Sequence, residues 1–332
     1  MEYSNLITKL LEGDTRAAAR LITIVENDID AAETIINSIY KNTGNAYILG
    51  ITGAPGSGKS TFISTLTKIF IEQEKKVGII CVDPTSPITG GALLGDRIRM
   101  KQHFTLNKVF IRSMANRGQL GGLARATEDV IKILDAYGCD IIIVETVGVG
   151  QSEVDIFKSA ETVIVLIVPG LGDDIQAIKA GIMEITDIFV VNKMDFPGAD
   201  RKVAEISQML ELNSNFKYQS NQYRDEYSKL VAWTPEILKV NSKTGENFKE
   251  LLKIINKHKK FLEDTGVISN YLKNRIKSET LQILKHKLQK KVEDLINSNQ
   301  KDINQYINKV IEKSLDPYSM ADLIIKMLGI ER

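Results

Sequence analysis

At 332 residues the chain can bury a full core, either as one large domain or as one domain with attachments. Its 43 Lys and Arg against 42 Asp and Glu leave a formal net charge of +1, which excludes a global electrostatic case for nucleic-acid binding. Apolar runs such as Val163 to Val168 are strand-length and too short to span a bilayer, and Met1 to Asn5 opens neither a signal peptide nor an Arg-rich transit peptide.

The first 45 residues read as a helical preface. Leu6, Ile7, Leu10 and Leu11 form one apolar face. Asp14 is placed to cap a second helix carrying Ala17, Ala18, Leu21, Ile22 and Val25, and Asp30 or Asn27 to open a third through Ile35, Ile36 and Ile39.

Next comes the stretch that organises the rest. The apolar run Tyr47-Ile48-Leu49-Gly50-Ile51 leads into Gly53-Ala54-Pro55-Gly56-Ser57-Gly58-Lys59-Ser60-Thr61, and Phe62, Ile63, Leu66, Ile69 and Phe70 then share one helical face. Strand, G-x-x-x-x-G-K-[ST], helix is the context of a phosphate-binding loop. The glycines let backbone N–H groups turn inward around phosphate oxygens, and the helix aims its positive end at the same anion. Lys59 is expected to reach the β- and γ-phosphates, and the Ser60 hydroxyl to take one position on Mg²⁺.

From about 46 to 260 strand-like runs recur at 77–82, 109–111, 140–144, 162–168, 188–191 and 237–240, mostly with amphipathic segments between them. Continuous Val/Ile-rich runs separated by helices predict an α/β fold, a P-loop nucleotide-binding domain on a mainly parallel sheet flanked by helices, with ligands at the carboxyl ends of the strands. Cys81 and Cys139 lie in or beside two of these runs and read as buried reduced thiols of a cytoplasmic protein. His103, His258 and His286 are scattered along the chain and suggest no ligand set.

The loop after the second strand is long and glycine-bearing. Asp83 and Asp96 in it are candidate Mg²⁺ or water-positioning carboxylates, or else a turn and a helix cap. Glu145 ends the strand at 140–144, with Gly148 three residues on, matching the D-x-x-G switch of GTPases with Glu for Asp. The carboxylate can hold a metal-bound water, and the Gly148 N–H can meet the γ-phosphate. Val149 stands where a Ras-like enzyme has its water-orienting Gln, so hydrolysis is expected to be slow in isolation or to use another residue. The segment 169–181, with Asp173 and Asp174, reads by itself as a capped turn.

Asn192-Lys193-Met194-Asp195 follows the strand at 188–191. The Asp195 carboxylate can accept from guanine N1–H and its exocyclic amino group, Lys193 can cover the ring face, and Asn192 can bond the base or tie loops together. Two hydrogen bonds to a charged group imply about 10²- to 10⁴-fold preference over ATP. The segment Asn241-Ser242-Lys243-Thr244-Gly245 follows the last strand and fits the remaining guanine loop, where backbone N–H groups meet O6, with Ser242, Lys243 and Thr244 as its candidate binding residues. Together the three segments specify GTP and GDP. From 261 to 332 the strands stop; Leu281, Leu284, Leu288, Val292 and Leu295 form a stripe on a Lys-rich helix that must pack on its own domain or on a second copy of the chain.

With Gly53 to Thr61, the loop at 81–100, E-T-V-G-V-G-Q-S-E at 145–153, P-G-L-G-D-D-I-Q-A-I-K-A-G at 169–181 and N-K-M-D at 192–195, the chain resembles the MeaB/ArgK family of P-loop GTPases. These are chaperones of adenosylcobalamin-dependent acyl-CoA mutases, chiefly methylmalonyl-CoA mutase. The resemblance implies GTP hydrolysis that gates cobalamin loading into the mutase and protects it. It also implies switch loops at 83–100 and 145–153, and a further switch at 169–181 with Asp174, Gln176 and Lys179 as its polar members. Lys59, Asp83, Asp96, Glu145 and Gly148 would be the catalytic set, Ser60 and the three carboxylates the metal set, and the helical tail a homodimerisation arm. No nucleic-acid or membrane partner is expected. One of Arg97, Arg99, Arg112, Arg117 and Arg125 is a candidate to complete the site when the mutase docks. The competing readings are a nickel-delivery GTPase, which wants Cys and His ligands near the switches, and a small-molecule kinase.

Overall fold

The computed structural model describes residues 3–83, 108–115, 126–146, 160–170, 185–212 and 233–327. Seven strands, β1 (Tyr47–Gly53), β2 (Val77–Asp83), β3 (Val109–Ala115), β4 (Ile141–Thr146), β5 (Thr162–Ile167), β6 (Ile188–Val191) and β7 (Glu236–Lys239), form one sheet in the order β3-β2-β4-β1-β5-β6-β7. Every pairing is parallel. All carboxyl ends therefore share one edge. After β4 the chain crosses to the other side of β1, so β1 ends at a topological switch point, where open α/β sheets bind ligands.

Strand alternation divides the core in two. Tyr47, Leu49 and Ile51 of β1 join Ile79, Ile143, Ile164 and Val190 on one face, against α4 (Lys59–Glu72) and α7 (Phe248–Asp264). Ile48, Ile80, Ile142, Val163 and Phe189 point to the other face, with residues of α5 (Thr127–Ala136) and α6 (Ala199–Leu212). A sheet covered on both sides explains the uninterrupted apolar strand runs.

The first three helices, α1 (Ser4–Leu11), α2 (Thr15–Asn27) and α3 (Ile29–Ile39), join the second core through Leu10, Leu21, Ile22, Val25 and Ile35. Asp14 caps α2 as expected, accepting from Ala17 N at 2.7 Å. The cap of α3 differs from expectation: Asp28, not Asn27 or Asp30, accepts from Ala31 N at 3.0 Å. Asp28 has extended backbone angles that aim its carboxylate at the first turn, whereas Asn27 still belongs to α2 and Asp30 already lies within α3. Asp135 of α5 then accepts from Asn45 N at 3.2 Å and Ala46 N at 3.0 Å, pinning the segment that feeds β1.

The chain divides into two compact units, residues 1–272 and 273–332. α8 (Val267–Ser298) runs into the second, which continues with α9 (Gln300–Ile311) and α10 (Pro317–Met327). Leu281, Leu284 and Leu288 are about half exposed, and Lys285, Lys287, Lys290 and Lys291 are exposed. Among the described residues no helix is long and apolar enough to cross a membrane.

Candidate nucleotide site

The loop between β1 and α4 is shaped by glycines whose space is taken. Gly53 has φ +145°, and a Cβ there would lie 2.3 Å from the Leu166 carbonyl oxygen of the neighbouring strand. At Gly58, φ is +91° and a Cβ would lie 2.6 Å from Asn192 Nδ2. No other residue type fits either position without displacing backbone or a buried amide. Ser57 N donates to Ala54 O at 3.1 Å and closes the turn, with Pro55 and Gly56 exposed at its tip. Lys59 is buried, and its ammonium donates to Gly53 O at 2.7 Å and Ala54 O at 3.2 Å, across the mouth of the loop. Ser60, the second residue of α4, is half-buried, and Thr61 is exposed.

The segment after β6 is built into this loop. Asn192, 2% exposed, donates from Nδ2 to Ser57 O at 2.8 Å, while its Oδ1 accepts from Ser242 N at 3.2 Å and Ser242 Oγ at 2.7 Å. Of the two roles the sequence left open for Asn192, tying the loops together is visible in the structure. Lys193 takes the left-handed conformation, φ +57°, and its ammonium donates to Gly56 O at 3.1 Å. Asp195 is exposed and its Oδ1 accepts from Asn241 Nδ2 at 3.0 Å. Asn241 in turn takes Lys243 N at 3.0 Å and Thr244 N at 3.4 Å on its own Oδ1. Thr65 of α4 donates to Ser242 O at 2.7 Å.

Asn241 falls in the guanine-loop segment that the sequence marked, but its bond to Asp195 could not be read from it. Thr65 was missed and carried no signal, because its contact depends on which face of α4 meets the 242–245 loop. Three segments far apart in sequence thus form one connected rim: the glycine-rich loop, 192–195 and 241–245.

On the other side of β1, Glu145 is the penultimate residue of β4 and only 4% exposed. In register it stands between Ile51 of β1 and Cys81 of β2, and Cys81 Sγ donates to its Oε2 at 3.6 Å. Thr146 Oγ1 donates to Thr52 Oγ1 at 2.9 Å. Asp83 is the last residue of β2, at the same carboxyl edge. Asp96, Gly148, Asp174, Gln176 and Lys179 lie outside the described residues. Both cysteines are buried thiols outside any disulfide, as expected; burial pushes the Cys139 thiol up to about 12.

Arg112 does not suit the role of a mobile arginine. It lies within β3 and its guanidinium donates to Glu26 of α2, from Nε at 3.2 Å and again from a terminal nitrogen. Leaving that partner would break a salt bridge whose side chains are 17% and 13% exposed. Arg97, Arg99, Arg117 and Arg125 lie outside the described residues.

A protein-family model described as methylmalonyl Co-A mutase-associated GTPase MeaB matches residues 18–297. The chain belongs to the MeaB family. A Pyrococcus horikoshii protein that carries a GTPase name is 52% identical over 323 residues, 97% of either chain. The mouse protein named methylmalonic aciduria type A homolog, mitochondrial, is 33% identical over 263 residues, covering 74% of this chain and 60% of its own length. A crystal structure titled LAO/AO transport system kinase shares the fold, with a TM-score of 0.64 at 24% identity, covering 99% of this chain and 98% of that one. This MeaB-family chain is therefore a P-loop GTPase, binding guanine nucleotide and hydrolysing GTP to GDP and phosphate.

Proposed function

We propose that this GTPase is a chaperone whose nucleotide state gates adenosylcobalamin loading into an acyl-CoA mutase, methylmalonyl-CoA mutase first among the candidates, and protects the loaded enzyme. The observation that carries the reading is the match of residues 18–297 to a family that bears the mutase in its name. Support also comes from the rim described above, since a nucleotide held by three interlocked loops can report its state to each of them.

In this reading Lys59 leaves the Gly53 and Ala54 carbonyls for the β- and γ-phosphate oxygens. The backbone N–H groups of 56–61 surround the phosphates, and the Gly148 N–H meets the γ-phosphate. Asp195 takes the guanine edge, with Lys193 over the ring and the 242–244 backbone at O6. The donors assigned to Mg²⁺ are the Ser60 hydroxyl and the carboxylates of Asp83, Asp96 and Glu145. An all-oxygen set with a half-buried hydroxyl in the first turn of α4 and a buried carboxylate one residue from the end of β4 suits that hard cation. When bound, Mg²⁺ would neutralise charge developing on the phosphate oxygens.

With Val149 in place of a glutamine, the partner completes the site. In Ras such assistance is worth about 10⁵-fold. Asp174, Gln176 and Lys179 are assigned to carrying the nucleotide state to the mutase. The half-exposed leucine stripe of α8 is assigned to a homodimer contact in a cytoplasmic protein. The test is co-purification of the host's cobalamin-dependent mutase with this chain under GTP and under GDP. Nucleotide-dependent capture, with faster single-turnover hydrolysis, is expected. No capture in either state, with hydrolysis unmoved by the mutase, overturns the reading.

A further inference from the structure

We propose that Thr65 is a positioning residue for base selection. From α4, the helix that opens with Lys59 and Ser60, it sets the direction of the peptide between Ser242 and Lys243 in the guanine loop. This rests on the role assigned above to the 242–244 backbone, which meets guanine O6. The Thr65 hydroxyl donates to the Ser242 carbonyl at 2.7 Å, across 177 residues of sequence. A side-chain carbon at Gly245, where φ is +79°, would stand 3.8 Å from Thr65 Cγ2, so the return of the loop also lies against the threonine methyl.

A helical threonine can satisfy its hydroxyl by turning back to the carbonyl four residues earlier. Thr8 does so to Ser4 O at 3.1 Å, Thr23 to Ala19 O at 3.0 Å and Thr34 to Asp30 O at 3.3 Å. Thr65 reaches out of its helix instead. What it holds is one end of a planar trans unit, so the Lys243 N–H points away from the Ser242 oxygen and turns with it. Asn241 Oδ1 takes that N–H at 3.0 Å, and Asn241 Nδ2 donates to Asp195 Oδ1 at 3.0 Å. A chain of hydrogen bonds therefore runs from α4, through the peptide, to the carboxylate assigned to the guanine edge. Its anchor is firm. Phe62, Ile63 and Leu66 of α4 are fully buried in one core with Phe248 and Leu251 of α7, and the Phe62 and Phe248 rings lie 5.2 Å apart.

The experiment measures the Kd of GDP and of ADP, by competition against a fluorescent GDP analogue, in wild type, Thr65→Val, Thr65→Ala and Thr65→Ser of the full chain. Binding is read where urea unfolding shows each variant folded. GDP and ADP share the ribose and the phosphates, so the ratio of their affinities reports the base alone. Thr65→Val keeps the shape and loses the donor. Its GDP affinity is expected to fall about five- to tenfold, the size of one neutral hydrogen bond, with ADP within about twofold of wild type. Thr65→Ala loses the donor without placing a methyl against the carbonyl, and is expected to narrow the preference by a similar factor. Thr65→Ser keeps the hydroxyl and is expected to hold the ratio within about twofold of wild type.

Equal weakening of GDP and ADP would mean that Thr65 only holds α4 and the phosphate loop in place, and would overturn a role in base selection. So would a preference for GDP that is unchanged in Thr65→Ala, or a loss in Thr65→Ser as large as in Thr65→Val. The wild-type ratio separates the two levels. If wild type binds ADP as tightly as GDP, the assignment of the guanine loop fails and the proposal falls with it. If wild type prefers GDP and the variants without a donor prefer it equally, only the proposal fails.

Discussion

Asn192 and Ser57 are joined by a 2.8 Å hydrogen bond from the Asn192 amide to the Ser57 carbonyl, across 135 residues of sequence. The same side chain takes two donors from Ser242, so one buried amide spans the phosphate loop and the third loop of the rim. Asn192→Ala removes all three bonds and leaves a buried carbonyl and a buried N–H without their partner. Each such orphan costs about 1–3 kcal/mol. Affinity for GTP and GDP should fall together by about 10²-fold in calorimetric titrations, because the strut serves the loop and not the γ-phosphate. A loss confined to GTP, or none, would contradict the strut.

Asp195 is exposed, and its carboxylate is oriented by Asn241, which also holds the amides of Lys243 and Thr244. Asp195→Asn replaces an acceptor with a partial donor facing guanine N1–H and the amino group. The expected outcome is loss of most of the preference for GTP over ATP, which two charged hydrogen bonds place at about 10²–10⁴-fold. Competition of ATP against a fluorescent GDP analogue reads it directly. A preference that survives in Asp195→Asn would mean that the base is read elsewhere.

The sheet was legible because its strands are buried on both faces and so appear as unbroken apolar runs; Ile141 to Val144 and Val163 to Val168 need no partner to be recognised. The phosphate loop and Asn192 to Asp195 were legible because chemistry fixes their spacing. What could not be read depends on tertiary neighbours. Asp28 wins the α3 cap through its backbone angles, with acidic or amide residues on either side that look equivalent in sequence. Arg112 appeared available until Glu26, 86 residues away, was seen to hold it. Asn241 bonds Asp195 only because β6 and β7 are adjacent and in register.

Asp140 gives the fold a pH-dependent contribution. Burial works against its charge, but the Lys76 N–H at 2.8 Å and the Lys75 ammonium at 3.1 Å outweigh it and hold the carboxyl below its usual range. A depressed folded pKa means that the unfolded chain takes up the proton first as pH falls. The contribution is therefore complete above the ordinary value of about 3.9 and is lost as pH drops through the lower folded value. The Lys75 and Asp140 side chains are 48% and 40% exposed, so solvent screening keeps the charged part small, about 0.5–1 kcal/mol. Asp140→Asn keeps an acceptor for Lys76 N and removes only the charge. In urea titrations at a series of pH values, wild type should exceed the variant at neutral pH, and the gap should close in strong acid. A gap independent of pH would assign the difference to packing instead.

At the opposite edge of the sheet from the nucleotide loops, His258 of α7 is 2% exposed and links three strands. Its Nδ1 lies 2.7 Å from Thr162 Oγ1, which also meets the Tyr47 hydroxyl, and its Nε2 lies 3.4 Å from Asp187 Oδ1. Asp187 in turn accepts from Val163 N at 2.8 Å, and Trp233 packs on the imidazole with ring centroids 4.6 Å apart. Burial pushes the Tyr47 phenol well above its usual range, so it serves this network as a neutral hydroxyl. Removing the ring in His258→Ala opens a cavity beside Trp233 and deprives Thr162 and Asp187 of a partner, a combination worth about 2–4 kcal/mol. Tyr47 and Thr162 begin β1 and β5, and Asp187 directly precedes β6, whereas the nucleotide rim is built where those strands end. Stability by urea unfolding should therefore fall while the GDP Kd stays within about twofold, provided binding is measured where the variant remains folded. If nucleotide affinity drops in step with stability, the two edges are energetically coupled along the strands, and the amino-terminal network belongs to the machinery of the site.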